Sequence, residues 1–424
     1  MKGVGLFACL LRTCVLQACV LPACGLLAWA PALAQTSTWE VRAGGVAGHG
    51  ARDLAEPRSG TYRALLLDAA FSRREGGLTW AMAATASLRD PADAAGERTI
   101  TEVTEAALSW RAENWGWAVG RQNLVWGRAD IVNPTDVWTP RRYDRASFRD
   151  SDQAIGADTL RAWVTPGDLG TATVLLSPRL RPSRRGAGLL AALPAVPSHS
   201  SSVSGRSPAA AGRWEGQHGA LDYALTAATG ATLTPYFRPG GATGLESRYA
   251  RQRMLGGDFA RTVGAWVLRG EAAIVRREDD ATGVAPRPTR SVVLAAEREI
   301  VAGWTANVQW LVEQHGAPAA RDPGLERLAA LNRTLFHQGR RRVSGASLSV
   351  ANNPLSGDPR LTFTVLAYEG RESVWRLRWE STLAPRLSLC LLVERFQGPA
   401  GSTFDFLSRN NVAWVFLTSS FGGN

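Results

Sequence analysis

The chain has 424 residues, a formal net charge of +11 and 45% hydrophobic residues. That is too long for one ordinary soluble core, yet no break in composition divides it, which points to one large architecture. Four of the five cysteines, Cys9, Cys14, Cys19 and Cys24, crowd the N-terminus. If that region is removed, Cys390 remains alone, which excludes an internal disulfide or a cysteine metal cluster.

The first element is an export signal over residues 1–34. Lys2 and Arg12 precede an uncharged apolar run from Thr13 to Ala30, and Ala32-Leu33-Ala34 offers the small residues of a cleavage site before Gln35. A membrane-anchoring helix and a lipid-modified Cys24, after Leu21-Pro22-Ala23, are the alternatives. The polar Thr36-Ser37-Thr38 and the Ala-Leu-Ala-Gln step favour cleavage. Lys2 is the sole lysine, so removing it with Arg12 lowers the formal charge from +11 to +9, all of it arginine. Nucleic acid is the usual partner of such a balance. For an exported chain, anionic solutes and the phosphate-rich headgroups of outer-membrane lipid and lipopolysaccharide fit better, and no nucleic acid is expected.

After Ala34 no apolar stretch approaches the length of a spanning helix. Alternation with a period of two replaces it. In chain order, Trp266, Leu268, Ala272 and Ile274 oppose Arg269 and Glu271. Ala306, Val308, Trp310 and Val312 oppose Asn307, Gln309 and Glu313, and Leu361, Phe363, Val365 and Ala367 oppose Thr362, Thr364 and Tyr368. In Val374–Leu383, Trp375, Leu377 and Trp379 oppose Arg376, Arg378 and Glu380. Leu387, Leu389, Leu391 and Val393 oppose Ser388, Cys390 and Glu394, and Val412–Phe421 reads as a closing strand. Apolar side chains against a strip of charges suit a wall with lipid outside and water inside. Tight turns such as Arg74–Gly77 alternate with long connections such as 317–329, and the 16 tryptophans suit interfacial girdles. The expected fold is all-β: a single transmembrane antiparallel β-barrel of about 16 to 18 strands over residues 35–424, with short periplasmic turns and long extracellular loops. Residues 179–211, rich in Arg, Ser, Pro and Ala, are expected to form a flexible loop.

One stretch breaks the alternation. After the fifth strand, residues 127–155 become irregular, punctuated by Asn133-Pro134 and Thr139-Pro140. Arg121, Arg128, Asp130, Asp136, Arg141, Arg142 and Asp144 lie close together in both signs. Irregular backbone at membrane depth is tolerated only when buried in protein or lining water, so this segment is expected to fold into the lumen as a constriction. Gly120-Arg121-Gln122, Trp126-Gly127 and Asn133-Pro134-Thr135-Asp136 together resemble a large family of Gram-negative outer-membrane barrels. That family is known mainly as a domain of unknown function and is akin to alginate-export porins. Gly156–Arg161, Gly256–Phe259 and Leu268–Glu271 resemble later strands of the same family. The resemblance implies the barrel and its membrane, not a substrate.

The expected function is a channel passing small or anionic solutes, with lumen charges Arg269, Glu271, Arg376, Arg378 and Glu380 setting selectivity. Each of these, and each charge of the constriction, could instead be a salt bridge holding the segment in place. A closed docking barrel of an envelope complex, with a periplasmic partner or as a homo-oligomer, is the second reading. A barrel-bound lipid enzyme has least support, because His49, His199, His218, His315 and His337 are scattered and no nucleophile motif accompanies them. No catalytic residue, metal or cofactor is expected.

Overall fold

Strands whose successive side chains face lipid and water alternately must pair their backbones on both edges, because hydrocarbon offers no hydrogen bonds. The computed structural model describes residues 36–50, 60–90, 98–142, 153–184, 208–240, 244–280, 282–317, 322–352, 359–400, 402–408 and 411–423. Residues 1–35, residues 143–152 and the middle of the 179–211 loop lie outside them.

In chain order the strands are β1 (Thr36–Gly50), β2 (Gly60–Glu75), β3 (Leu78–Asp90), β4 (Thr99–Arg111), β5 (Trp115–Gln122), β6 (Ala157–Val164), β7 (Thr171–Ser177), β8 (Ala209–His218) and β9 (Leu221–Ala231). A small hairpin of β10 (Tyr236–Gly240) and β11 (Gly244–Arg248) follows. The wall resumes with β12 (Arg251–Val263), β13 (Trp266–Arg277), β14 (Thr289–Val301), β15 (Trp304–His315), β16 (Arg342–Asn352) and β17 (Arg360–Tyr368). It ends with β18 (Glu372–Ala384), β19 (Leu387–Gln397) and β20 (Val412–Gly423). Helices α1 (Glu326–Leu335) and α2 (Thr403–Leu407) sit in connections. Every wall strand is antiparallel to its neighbours, and β20 pairs back onto β1 from Trp39↔Gly423 to Gly50↔Val412, closing an 18-stranded barrel. The count is the upper figure expected from the alternation.

Connections alternate in length around the barrel. At one end lie tight turns such as Gly76-Gly77, Gly219-Ala220, Gly264-Ala265 and Pro385-Arg386, together with the first and last strand ends. Gly264, at φ 58°, takes the left-handed conformation that a two-residue hairpin turn demands. The other end carries the longer connections that leave Gln122, Ser177, Ala231 and His315. The residues read as lipid-facing do face outward: Ile274, Val308, Trp310, Phe363, Leu377 and Leu391 are exposed. Trp39, Trp80, Trp115 and Trp266 are exposed near the turn end, where a girdle belongs.

The inner face is less polar than the pattern implied. Val46, Ala64, Leu66, Cys390 and Phe416 form an apolar patch across β19, β20, β1 and β2. Cys390 is thus a packed side chain, as its strand context suggests. At the loop end, Asn332 of α1 donates to the Phe237 and Val284 carbonyls at 2.7 and 2.9 Å and accepts from the Phe237 N–H at 2.9 Å. One buried amide thereby ties the helix to the β10–β11 hairpin and to the 278–288 connection.

Candidate functional site

Beyond Gln122 the chain leaves the wall and crosses the lumen. Two side chains start the turn. The Asn133 amide donates to the Trp126 carbonyl at 2.6 Å, and Gly127, at φ 96°, leaves room for it. A Cβ at Gly127 would collide with the Asn133 amide oxygen. The Trp-Gly and Asn-Pro pairs are therefore the two halves of one closed turn. Gly127→Ala is expected to push Asn133 out and expose new tryptic cleavage after Arg128 in the folded barrel. An unchanged digestion pattern would show that the turn does not hold the crossbar.

The far wall receives the crossbar through two carboxylates that lie directly opposite each other, Asp258 on β12 and Glu271 on β13. Like charges in such register repel, so each needs compensation. Glu271 accepts from the N–H groups of Arg128 (3.1 Å), Ala129 (3.2 Å) and Thr135 (2.6 Å), and from the Thr135 hydroxyl at 2.8 Å. Asp258 accepts a two-pronged bond from Arg213 on β8 (2.7 and 3.1 Å) and a third from Arg128 Nε at 2.8 Å. Further round, Asp130 meets Arg269 at 3.2 Å and Asn307 at 2.9 Å, while Arg269 also holds Glu297 at 2.9 Å. Between these polar anchors Ala129, Ile131 and Val132 pack on Val293, Leu311, Leu366 and Phe404.

The return limb is fastened to the near wall. Asp136 accepts from the Thr139 hydroxyl at 2.5 Å and from Arg141 at 3.1 Å. Burial pushes the Asp130 and Asp136 carboxyls above the ordinary aspartate range, against the pull of Arg269 on the first and of Thr139 and Arg141 on the second. Arg142, fully buried, donates to Glu102 on β4 at 2.8 Å. Arg181 and Arg184, just after β7, reach the same carboxylate at 2.6 and 3.3 Å. Three guanidinium groups thus converge on one carboxylate beside the crossbar.

Arg128, Asp130, Asp136, Arg141, Arg269 and Glu271 are accordingly gathered in one assembly of crossbar and receiving wall. Arg376, Arg378 and Glu380 are elsewhere. They follow Val374, which packs at the crossbar, down the inner face of β18 toward the turn end. Arg376 bonds Glu394 through Nε at 2.6 Å, and Arg378 bonds Glu380 at 2.6 Å. Arg121 does not belong with either group. It pairs in register with the exposed Ala106 and with Asp158, which it bonds at 2.8 Å, on the outer face of the wall. Gly120, at φ 115°, sits beside it, and parity rather than proximity in sequence decides its side.

Sequence reasoning missed Glu102 and Arg213, whose spacing carries no local signal; it marked Arg142 only as one charge of the infolded segment and Asp258 only as part of a strand motif. It also treated the histidines as scattered, yet His315 and His337 meet at the loop end. Glu313 lies 3.9 Å from His315 and Glu372 lies 3.7 Å from His337. The hydroxyl facing His315, that of Thr289 at 3.3 Å, is itself buried.

No family model and no curated protein matches the sequence, so the resemblance to the domain of unknown function gains no support. Solved structures do match in fold. Acinetobacter baumannii OccAB4 aligns with a TM-score of 0.56 at 8% identity, over 92% of this chain and 99% of that one. Pseudomonas aeruginosa OpdK, solved with vanillate, gives 0.54 at 10% identity over 91% and 99%. Pseudomonas aeruginosa OccK2, solved in complex with glucuronate, gives 0.53 at 12% identity over 92% and 96%. At such identities the likeness is one of architecture: this chain has the 18-stranded barrel fold of Gram-negative outer-membrane porins.

Proposed function

We propose that the chain is an outer-membrane channel, exported by its N-terminal signal, that passes small anionic solutes through a bore narrowed by the crossbar. One observation carries this reading: Arg142, Arg181 and Arg184 all reach the carboxylate of Glu102 beside the lumen-crossing segment. Guanidinium groups gathered at the narrowing raise the local concentration of anions. The neighbours solved with vanillate and glucuronate both hold carboxylates, and the lysine-free, arginine-rich content of this chain after residue 34 suits planar, two-pronged recognition of that group. The long connections would then face outward and the tight turns the periplasm. No enzymatic role is assigned.

The test is conductance of the refolded mature chain in planar bilayers under a salt gradient. Discrete openings with a reversal potential on the anion side are expected. Arg376→Gln would leave Glu394 without its partner on the inner wall and shift that potential toward cations. Persistent silence from a folded barrel would overturn the channel and leave the closed docking barrel in its place.

A further inference from the structure

The outer wall carries an uncompensated row of arginines at its loop end. Arg251 and Arg253 on β12, Arg276 on β13, Arg290 on β14 and Arg342 on β16 are all exposed. Arg253 and Arg276 are direct cross-strand partners. Arg290 pairs with Ile274, which puts it diagonal to Arg276, and Gln314 links it in register to Arg342. Among the described residues none of these five side chains makes an ion pair or a side-chain hydrogen bond. Glu278, the acid next along the ladder, meets Arg251 through a backbone bond only, its N–H donating to the Arg251 carbonyl at 2.9 Å.

Like charges set directly opposite on one sheet face destabilise it unless an anion is shared between them. Elsewhere on the same rim an acid stands opposite the arginine: Asp158 faces Arg121 and bonds it, and Asp90 stands opposite Arg63 in register. Among the described strands, Arg253 and Arg276 are the one pair of arginines set directly opposite each other, and their anion is left to come from outside. Immediately below the row, on the same outward face, Leu255, Ile274, Val292 and Leu294 are exposed. A ligand fitting both features has phosphate at one end and hydrocarbon at the other.

We propose that this row is a docking site for a phosphorylated glycolipid of the outer leaflet, with the guanidinium groups taking the phosphates and the apolar belt taking acyl chains. The site rests on the outer-membrane placement of the barrel and is independent of whether the bore conducts.

The test is titration of the refolded barrel in neutral detergent with lipid A carrying both phosphates, read by native mass spectrometry. Removing three cations near an anionic headgroup with R253Q/R276Q/R290Q is expected to weaken binding by roughly a hundredfold. R261Q/R298Q, at the turn end of the same strands, is expected to bind as the parent does. Lipid A stripped of phosphate should bind the parent weakly. Equal binding by the triple variant and the parent would overturn the site, as would equal loss in R261Q/R298Q. Displacement of lipid A by inorganic phosphate at matched phosphate concentration would assign the row to free phosphate and overturn the lipid reading. Heat-dependent gel migration reports folding of each variant. Should the triple variant not fold, R276Q and R342Q singly carry the same test, each with a severalfold loss. Bilayer conductance of the triple variant is expected to be unchanged, so failure of this site and failure of the channel are told apart.

Discussion

Glu271→Ala is expected to release the crossbar and raise single-channel conductance severalfold while the barrel stays closed. Glu271 is the only described carboxylate that receives backbone N–H groups from both the outgoing stretch, at Arg128 and Ala129, and the turn, at Thr135. Each hydrogen bond to a charged acceptor contributes about 1.5–3 kcal/mol. Losing them together exceeds what the apolar contacts of Ala129, Ile131 and Val132 can restore. Alanine also removes the repulsion from Asp258, so the wall itself is not weakened. Glu271→Gln keeps one acceptor oxygen and should open the bore less. The measurement is conductance in planar bilayers, with heat-dependent gel migration confirming an intact barrel. Parental conductance in Glu271→Ala would show that the crossbar does not set the bore.

Glu102→Gln is expected to give the second large effect, on selectivity and stability at once. The carboxylate neutralises part of the charge of Arg142, Arg181 and Arg184, and both it and Arg142 are buried. Breaking a buried ion pair by removing one partner costs about 3–5 kcal/mol, because the remaining charge keeps its desolvation penalty. The cheapest escape for these side chains is to turn into the water of the bore. The reversal potential under a salt gradient should move further to the anion side, most strongly at low ionic strength, where screening is weak. The urea midpoint of the barrel should fall as well, since Glu102 joins the crossbar and the segment after β7 to β4. An unchanged reversal potential would show that this cluster does not face the permeating ions.

The architecture was legible because its cause is local. Alternation in Val374–Leu383, or in Leu387–Val393, follows from a side-chain period of two, and lipid on one side fixes the face. The same holds for the tight turns and the infolded segment, where Asn133-Pro134 and Thr139-Pro140 cannot continue a ladder. Even the site was half legible, since Arg128, Asp130, Asp136 and Arg141 are neighbours in sequence and Arg269 and Glu271 were marked as lumen charges. The apolar inner patch around Phe416 and Cys390 was not, because period two says which residues share a face but not what covers that face.

What the chain by itself determined, then, is a barrel, the parity of its strands and the place where a segment must leave the wall. The tertiary structure alone decided which wall receives that segment. Thr135 and Glu271 stand 136 positions apart, and they meet because closure of β20 onto β1 sets β12 and β13 across the lumen from β5. Strand pairing also set Asp158 beside Arg121 and brought Arg142, Arg181 and Arg184 around Glu102. Period-two alternation acts between near neighbours, whereas contact across a lumen depends on strand number and register summed around the whole barrel.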